Sequence, residues 1–322
     1  MSTSITTPSE IFYPQYLRLQ DLLDQSEKQH WNIFEPDMRQ DTEQWKNGSI
    51  SDSEKAYIKH ILRLFTQLDT NVCSSYVERL LPIFKHPDAR MMLLSFAARE
   101  VTHMKGYKLL NDTLGYDTEE FTKEFLTYKE MKDKHIFMIE DVPTSTPANI
   151  ATLLARQILM EGVNLFGSFI MLLSWSQVGK LPGMISVNKW SILDESTHVE
   201  GLTEMFRLYL HEHPEVINNP FKANIYETAR TVVGLEDSFI NMCYRIGTNP
   251  ALTAEQAKAY VRYVCDYRMV QMGLKPQFGI KDNPTPWIDH VTDNALVNFF
   301  EATNTEYAKG AMVGDWEYPS GW

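Results

Sequence analysis

The chain has little of what marks a secreted or thiolate-ligated protein. Its 322 residues include only three cysteines, Cys73, Cys243 and Cys265, which are odd in number and form no CxxC pair. Neither a disulfide framework nor a cysteine metal site is therefore expected. The N-terminus lacks both the positive start and the apolar block of a secretory signal, so we expect a cytoplasmic protein.

Long apolar runs and positive charge are also scarce. The longest apolar run, from Val163 to Trp175, contains polar and glycine residues and is shorter than the roughly 20 apolar residues of a membrane span. It predicts a buried core helix. The net charge of -12 and the pI near 5.2 would repel phosphate backbones and anionic lipids. We therefore expect neither nucleic acid nor a membrane as a partner.

Strand-like alternation is nearly absent, whereas helix signals recur along the chain. Ser51 and Glu54 form a capping box ahead of an amphipathic run that ends before the prolines at 82 and 87. Five further helical runs are predicted, from about 88 to 115, 147 to 179, 182 onward, 220 to 247 and, capped by Thr253 and Gln256, up to 273. The sequence therefore predicts an all-α fold of long helices.

No linker rich in glycine, serine or proline divides these helices. We therefore expect one helical domain over residues 51–300. An irregular N-terminal arm, residues 1–50, precedes it, and a tail, residues 301–322, follows it.

One of the predicted core helices carries polar side chains on its apolar face. In the stretch FAAREVTHMKGYKLL, Glu100, His103 and Tyr107 recur with Phe96 and Leu110 at the three-and-four spacing of a single helical face. The first two form an ExxH pair, whose carboxylate and imidazole lie one turn apart and can bind the same metal ion.

The ExxH pair is a weak signal alone, because chance supplies about one in a chain of this composition. This chain has three, at Glu27 and His30, at Glu100 and His103, and at Glu195 and His198. The first lies in a polar segment without an apolar stripe, and we assign it to chance. The other two lie on helices whose pattern predicts burial.

Each of these two pairs follows another carboxylate at a similar distance. Asp69 precedes Glu100 by 31 residues, and Glu161 precedes Glu195 by 34. Asp69 and Glu100 are each 13 residues from the break between their helices, so an antiparallel hairpin brings them to the same height. In the second hairpin the counts are 18 and 13, which requires a helix distortion or a longer connection.

Four buried carboxylates at one level require cations, because an isolated buried carboxylate costs several kcal/mol of desolvation. Lysine or arginine partners are the alternative to a metal, but the helical faces named carry no basic residue at neighbouring positions. Oxygen and nitrogen ligands without thiolates favour iron or manganese, and carboxylates from several helices favour two ions. Such ligation also favours a reaction with dioxygen or a reduced oxygen species.

These residues resemble those of a known family, the small (beta, radical-generating) subunit of class I ribonucleotide reductase. The resemblance extends from about Gln29 to Lys309 and rests on the segments FTQLDTNV, SFAAREVTHMKGYKLL, YKEMKDKH, LMEGVNLFGSF, ILDESTHVEG, QFGIKDNPTPW and NFFEATNTEY. It implies a ferritin-like bundle with a dinuclear metal centre. The six positions that bind the metals in this family are occupied here by Asp69, Glu100, His103, Glu161, Glu195 and His198.

The resemblance also implies a path that carries the oxidising equivalent away from the metals. The segment QHWNIFEPDM places Trp31 at the family's relay tryptophan, and Asp194 matches the aspartate that joins this tryptophan to a ligand histidine, here His103. In the tail, Tyr307 is our choice for the relay tyrosine, with Tyr318 as the substitute.

Tyr107 matches the tyrosine that many members oxidise to a stable radical. The alternative is a core tyrosine whose hydroxyl is bound by a ligand carboxylate, because some relatives store the oxidising equivalent on the metals. The neighbouring positions match Leu165, Phe169 and Ser191, a somewhat polar pocket. The sequence leaves Fe2, Mn2 and Mn/Fe centres open.

The partners implied by the resemblance are a large (alpha) subunit, which the tail would dock on, and a second copy in a homodimer; an activating flavoprotein is also compatible. Trp316, Tyr318 and Trp322 would anchor the tail. No phosphate-cradling glycine loop is present, so ribonucleotides would bind to the partner. The alternatives are a dimetal oxidase or hydroxylase that acts on a lipid or hydrocarbon and, less favoured, an iron-storage protein.

Overall fold

The computed structural model describes residues 4–291, and the part of the chain it describes is helical, without strands. Twelve α-helices are present in this part: α1 Leu17–Lys28, α2 Arg39–Lys46, α3 Asp52–Ser74, α4 Pro87–Leu114, α5 Glu119–Lys123, α6 Lys129–Ile139, α7 Pro147–Leu159, α8 Phe166–Leu173, α9 Pro182–Glu212, α10 Asn219–Ile246, α11 Ala254–Gln271 and α12 Trp287–Val291. Two π-helices interrupt the series, π1 at Ser75–Leu80 and π2 at Met160–Asn164. The all-α prediction is confirmed.

The long helices begin and end at the predicted signals. The Ser51 hydroxyl accepts from the Glu54 backbone N–H, and the Glu54 carboxylate accepts from the Ser51 N–H, which forms the capping box of α3. The same reciprocal pair starts α11 at Thr253 and Gln256. Helix α4 ends at Gly115, whose φ of 81° is the left-handed conformation that glycine adopts without strain.

Four long elements form the central bundle. Helices α3 and α4 are an antiparallel hairpin, and α9 packs against α4 and against the α7–π2–α8 segment. Helices α10 and α11 pack on the outside of that segment, while α1 and α2 cover α4 and α9. The core therefore lies between the two hairpins.

The most apolar stretch of the described chain is the inside of this bundle. Residues 147–178 have the length and composition of a membrane span, but the apolar part is completely buried in the protein. The prediction of a buried core helix is confirmed.

The count mismatch in the second hairpin is resolved by distortion of the helix. Between Glu161 and Gly179 the chain passes through π2, the regular helix α8 and a 3₁₀ turn at Ser174–Val178. A π-helix pairs residue i with i+5 and a 3₁₀-helix pairs i with i+3, so the rise per residue along the axis differs from that of an α-helix. Counting residues therefore no longer gives the height of Glu161 in the bundle.

The N-terminal arm differs from the irregular segment that we expected. Helix α1 buries Leu19 and Leu22 against the bundle. The carboxylate of Asp41 on α2 accepts from the backbone N–H groups of Gly183 and Met184, each at 2.8 Å, and so caps the start of α9. Both helices are short and polar overall, and packing on the bundle rather than local propensity stabilises them. Helix α6, between two of the predicted runs, is likewise additional.

Candidate metal centre

The six polar residues predicted from the spacing meet at one place in the core. Their ligand atoms form two groups, each with all atoms within 4.8 Å of one another: one is made of Asp69, Glu100 and His103, and the other of Glu100, Glu161, Glu195 and His198. Glu100 belongs to both. The residues come from α3, α4, π2 and α9, and each is at most 1% exposed. The predicted convergence is therefore present.

Helical periodicity explains why the second ExxH pair points inward. Asn188, Ser191, Glu195 and His198 recur on α9 at spacings of three, four and three residues, and all four are buried. The cluster thus lies where the polar stripes of α4 and α9 face each other. This same spacing is a signal that would have identified Asn188 from the sequence.

The donor atoms in the cluster are suited to a cation. No hydrogen-bond partner is present for Asp69 Oδ2, for either carboxylate oxygen of Glu100 and Glu195, for His103 Nδ1 or for either ring nitrogen of His198. Buried polar atoms are normally paired, so this concentration of unpaired lone pairs calls for a ligand. Within residues 4–291, no lysine or arginine forms an ion pair with any of the six, so the basic-partner alternative is not what the structure has.

Burial shifts the protonation of the carboxylates. It raises the pKa of Asp69 and Glu161 well above the ordinary range, and the negative charges of Glu100 and Glu195 respectively add to the effect. Burial acts on Glu100 in the same direction, but His103 outweighs it and leaves the pKa of Glu100 lowered. Burial therefore disfavours the charged forms of Asp69 and Glu161 unless a cation is present.

The two imidazoles shift in the opposite sense to what burial alone would give. Burial lowers the pKa of His103, but the Glu100 charge and the hydrogen bond that His103 donates to Asp194 outweigh it and raise the pKa well above the ordinary value. For His198 the same competition, with Glu100 and Glu195, leaves a pKa of about 10. Both rings therefore carry charge that compensates the carboxylates when no metal is bound.

Glu161 is held by neighbours that lie outside the cluster. The Tyr76 hydroxyl, from π1, donates to Glu161 Oε2 at 2.6 Å, and the Gln157 amide donates to Oε1. Gln157 in turn accepts from Ser75 at 2.7 Å. The two π-helices therefore meet at this carboxylate. Gln157, which lies one turn before Glu161, was not among the residues predicted for the site.

Trp31, Asp194 and His103 are connected as the resemblance implies. The Trp31 indole N–H donates to Asp194 Oδ2 at 2.8 Å, and His103 Nε2 lies 3.1 Å from the same oxygen. Sequence analysis missed Arg99, whose Nη2 donates to this oxygen at 2.9 Å and whose Nη1 donates to the Trp31 carbonyl at 3.2 Å. Its position directly before Glu100 was the available signal. Trp190 packs on Trp31 with ring centroids 5.4 Å apart.

Tyr107 is fully buried beside the cluster, but its hydrogen bond differs from our alternative interpretation. Its hydroxyl donates to Asn188 Oδ1 at 3.0 Å rather than to a carboxylate of the cluster. Phe65 stacks on its ring at 4.5 Å and also contacts Phe169. Burial and the charge of Asp69 raise the pKa of Tyr107 well above 10, so the phenol is neutral.

The remaining candidates lie elsewhere. Glu27 accepts from Ser95 at 3.0 Å, and His30 contacts Arg99 at 3.3 Å, so the first ExxH pair is outside both groups of the described chain. This agrees with its assignment to chance. Tyr307, Tyr318, Trp316 and Trp322 lie outside the described residues.

Comparisons with known proteins identify the family. A model of the family described as "Ribonucleotide reductase, small chain" matches residues 9–284. The chain is 36% identical to a probable ribonucleoside-diphosphate reductase small subunit of Invertebrate iridescent virus 3, over 94% of this chain and 85% of that protein. These matches show that the chain is the small subunit of a ribonucleoside-diphosphate reductase, which is an oxidoreductase.

Solved structures with low sequence identity agree on the fold. A class I ribonucleotide reductase structure from Bacillus halodurans has a TM-score of 0.78 at 22% identity, and covers 86% of this chain and 100% of that one. An R2-like ligand-binding oxidase with a Mn/Fe cofactor has a TM-score of 0.63 at 12% identity, and covers 80% and 94%. The fold alone is thus common to a reductase and an oxidase, and the sequence matches distinguish them. The chain belongs to the ribonucleotide reductase small chain family.

Proposed function

We propose that Asp69, Glu100, His103, Glu161, Glu195 and His198 hold two metal ions, iron or manganese, and that the centre generates the oxidant used by a large subunit. When bound, these ions supply redox chemistry with dioxygen or a reduced oxygen species. The observation that carries the proposal is the pair of overlapping donor groups that share Glu100. Glu100 Oε2 faces His103 and Glu100 Oε1 faces His198, so Glu100 would hold both ions.

The first group owes its orientation to Asp194. When a metal binds and His103 becomes neutral, Asp194 Oδ2 against His103 Nε2 favours the tautomer with the proton on Nε2, which leaves the Nδ1 lone pair facing the cluster. His103 Nδ1 lies 3.2 Å from Glu195 and 3.5 Å from Glu100. Asp194 itself stays ionised: burial raises its pKa, but the hydrogen bond and charge of His103, together with Arg99, lower it below the ordinary value.

Trp31 is the first exit for the oxidising equivalent in this proposal. Its indole N–H donates to Asp194 Oδ2, so a proton can move toward the carboxylate as the ring loses an electron. The ring is 2% exposed, and the His103 ring lies nearly parallel to it at 6.1 Å. Tyr307 in the tail would continue the path to a cysteine of the large subunit, where ribonucleotides become deoxyribonucleotides.

Tyr107 is the proposed site of a stable radical, with storage on the metals as the alternative. It is next to the cluster, fully buried, and flanked by Phe65 and Asn188. Asn188 accepts the phenolic hydrogen bond but does not take up the proton, so it orients the hydroxyl while another group accepts the proton. Asp69 is the proposed acceptor, because its charge has the largest effect on the pKa of Tyr107 after burial.

We also propose a homodimer in the cytoplasm, with the large subunit as a docking partner of residues 301–322. The homodimer has support on the surface, because Met91, Leu94 and Val101 form an exposed apolar stripe on α4. Val77 is also exposed, on π1, which packs against α4. Replacement of Leu94 by Glu should convert the dimer to a monomer in analytical ultracentrifugation. An unchanged sedimentation coefficient would contradict this surface.

The experiment that tests the proposed centre is metal analysis combined with electron paramagnetic resonance on protein loaded separately with iron and with manganese. Two ions per chain are expected, with a tyrosyl signal that is lost in Tyr107→Phe when the radical resides there. Full activity with the large subunit without any tyrosyl signal would assign storage to the metals. Failure to bind more than trace metal would contradict the centre.

The oxidase alternative makes a different prediction for the relay. Replacement of Tyr307 by Phe should abolish ribonucleotide reduction with the large subunit while metal binding stays intact. An oxidase that acts on a lipid or hydrocarbon would not need this residue, and its activity would survive the substitution.

A further inference from the structure

The π-helix that carries Glu161 is bound from the outside by two buried cations. A π-helix breaks the α-helical pairing at its junctions, so its backbone carbonyls are available to other donors. Two carbonyl oxygens of π2 accept hydrogen bonds from side chains: Lys134 Nζ donates to the Asn164 carbonyl at 3.0 Å, and Arg268 Nε donates to the Gly162 carbonyl at 3.3 Å.

Lys134 reaches π2 from α6 and is completely buried. Its ammonium also pairs with Glu236 of α10, which is equally buried, and lies 4.7 Å from the Phe239 ring centroid. A buried ion pair in itself is weak support for stability, because desolvation offsets the attraction. The ammonium also donates to the Asn164 carbonyl, so the ion pair is connected directly to the backbone of π2.

Arg268 reaches π2 from α11 and is also completely buried. Its guanidinium lies 4.9 Å from the ring centroid of Phe166, the first residue of α8, and donates to Gln271 at 2.9 Å. Arg268 thus contacts π2 and the residue that restarts the regular helix. Helices α6, α10 and α11 contribute none of the six clustered residues, so this support is separate from the cluster.

Two glycines make room for these side chains. A Cβ on Gly162 would lie 2.7 Å from Arg268 Nε, and a Cβ on Gly167 would overlap the carboxylate of Glu236. The first distance is too short for a real contact, so a side chain at 162 would displace the guanidinium from the Gly162 carbonyl. Glycine at both positions allows the charged groups to approach the backbone around Glu161.

From these contacts we infer that Lys134 and Arg268 are positioning residues that hold π2 and thereby place Glu161 in the metal centre. The inference rests on the proposed metal centre. Without hydrogen bonds from Lys134 and Arg268, π2 would be stabilised by a return to regular α-helical hydrogen bonding. Each residue shifted in register turns a helical side chain by about 100°, so Glu161 would leave the group of Glu100, Glu195 and His198. Asp69, Glu100 and His103, on α3 and α4, would keep their places.

The test replaces Lys134 and Glu236 together by Met, because loss of Lys134 alone would leave a buried unpaired carboxylate. Gly162→Ala is an independent second variant that acts through Arg268. The control is Arg262→Met with Asp237→Asn. It removes an ion pair between α11, which carries Arg268, and α10, which carries Glu236, and this pair does not involve π2. Mn²⁺ titration and hydrogen exchange of the amides at 160–165 in the metal-free chain are the two readouts.

Wild type and control should bind two Mn²⁺ per chain. In the K134M/E236M and G162A variants we expect at least ~10-fold weaker binding of one ion, as for loss of other supports of a metal ligand, near-normal binding of the second, and ~10-fold faster exchange at 160–165. Two ions bound with wild-type affinity, with unchanged exchange, would overturn the inference. Equal weakening of both ions would also overturn it, since that indicates a general structural effect.

The two readouts separate this inference from the proposed function. A wild-type chain that binds no Mn²⁺ would contradict the metal centre, whereas the exchange rates would still show whether the side chains hold π2. Gly162→Ala keeps the test decisive if the double variant does not fold.

Discussion

The two halves of the site differ at one residue, because Glu161 alone among the six lies on a π-helix. Asp69, Glu100 and His103 project from regular α-helical turns of α3 and α4, whereas Glu161 projects from π2, next to Gln157 and the π1 residue Tyr76. Residue counting along two antiparallel helices was enough to match the first half. A regular helix places a ligand by its own geometry, whereas side chains from neighbouring helices hold π2.

The largest effect should come from Glu100, the residue shared by the halves. Glu100→Ala should weaken binding of both Mn²⁺ ions by more than the ~10–100-fold that loss of an outer support costs. Asp69→Ala and Glu161→Ala should each affect mainly one ion, and with Fe²⁺ the Glu161 variant should lose O2 consumption. Calorimetric titration measures the affinities.

The control for these variants is Glu27→Ala, in the ExxH pair that lies outside both groups. It should bind two ions with wild-type affinity. If the Glu100→Ala variant loses only one ion, then the two ions do not share this carboxylate, which contradicts the proposed centre.

The group of Asp69, Glu100 and His103 can be altered through Asp194, which contacts His103 from outside the group. Asp194→Asn keeps the shape of the side chain but removes the charge that orients His103 and accepts from Trp31. We expect ribonucleotide reduction with the large subunit to fall by at least ~100-fold, while Mn²⁺ affinity falls by only ~10-fold. A turnover assay beside the metal titration measures both, and a variant with wild-type turnover would contradict the relay.

The group that contains Glu161 can be altered by removal of a single hydroxyl. Tyr76→Phe removes the donor to Glu161 Oε2 and should weaken one Mn²⁺ ion by about 10-fold. Tyr260→Phe is the control, because Tyr260 is a buried tyrosine on α11 that lies outside both groups. Equal titration curves for the two variants would show that Tyr76 does not support Glu161.

The outer support of π2 should depend on pH. Burial raises the pKa of Glu236 from 4.5 to about 7, although Lys134 opposes the shift. Between these values the folded state binds more protons than the unfolded state, so stability falls as pH rises. Gln at 236 does not ionise and lacks this loss.

Wild type should therefore lose stability relative to Glu236→Gln between about pH 4.5 and 7, by on the order of 3 kcal/mol in total. Urea unfolding of both proteins at several pH values measures the difference. A constant difference across this window would show that Glu236 is ionised throughout it.

Much of the site could be predicted because helical periodicity and amino-acid type both identify polar residues on the buried faces of the helices. The stripes of α4 and α9 fixed which faces are polar, and burial of charge required a cation. The unequal residue counts in the second hairpin showed that a distortion was needed. They could not locate it at 160–164, because α and π pairing differ by little in local propensity and packing decides between them.

Other residues were missed because their signal is not periodic. Arg99 and Lys134 act from outside the polar stripes, and a single basic residue on a helix is usually solvated. Helices α1 and α2 were missed because each is short and polar, and is stabilised by contacts with α4 and α9 that are distant in sequence.

Anomalous diffraction from crystals grown with Mn²⁺ would locate both proposed ions and the side chains that bind them. Two peaks per chain are expected, one bound by Asp69, Glu100 and His103 and one by Glu100, Glu161, Glu195 and His198. A single peak, or six side chains that point apart or pair with lysine and arginine, would contradict the account.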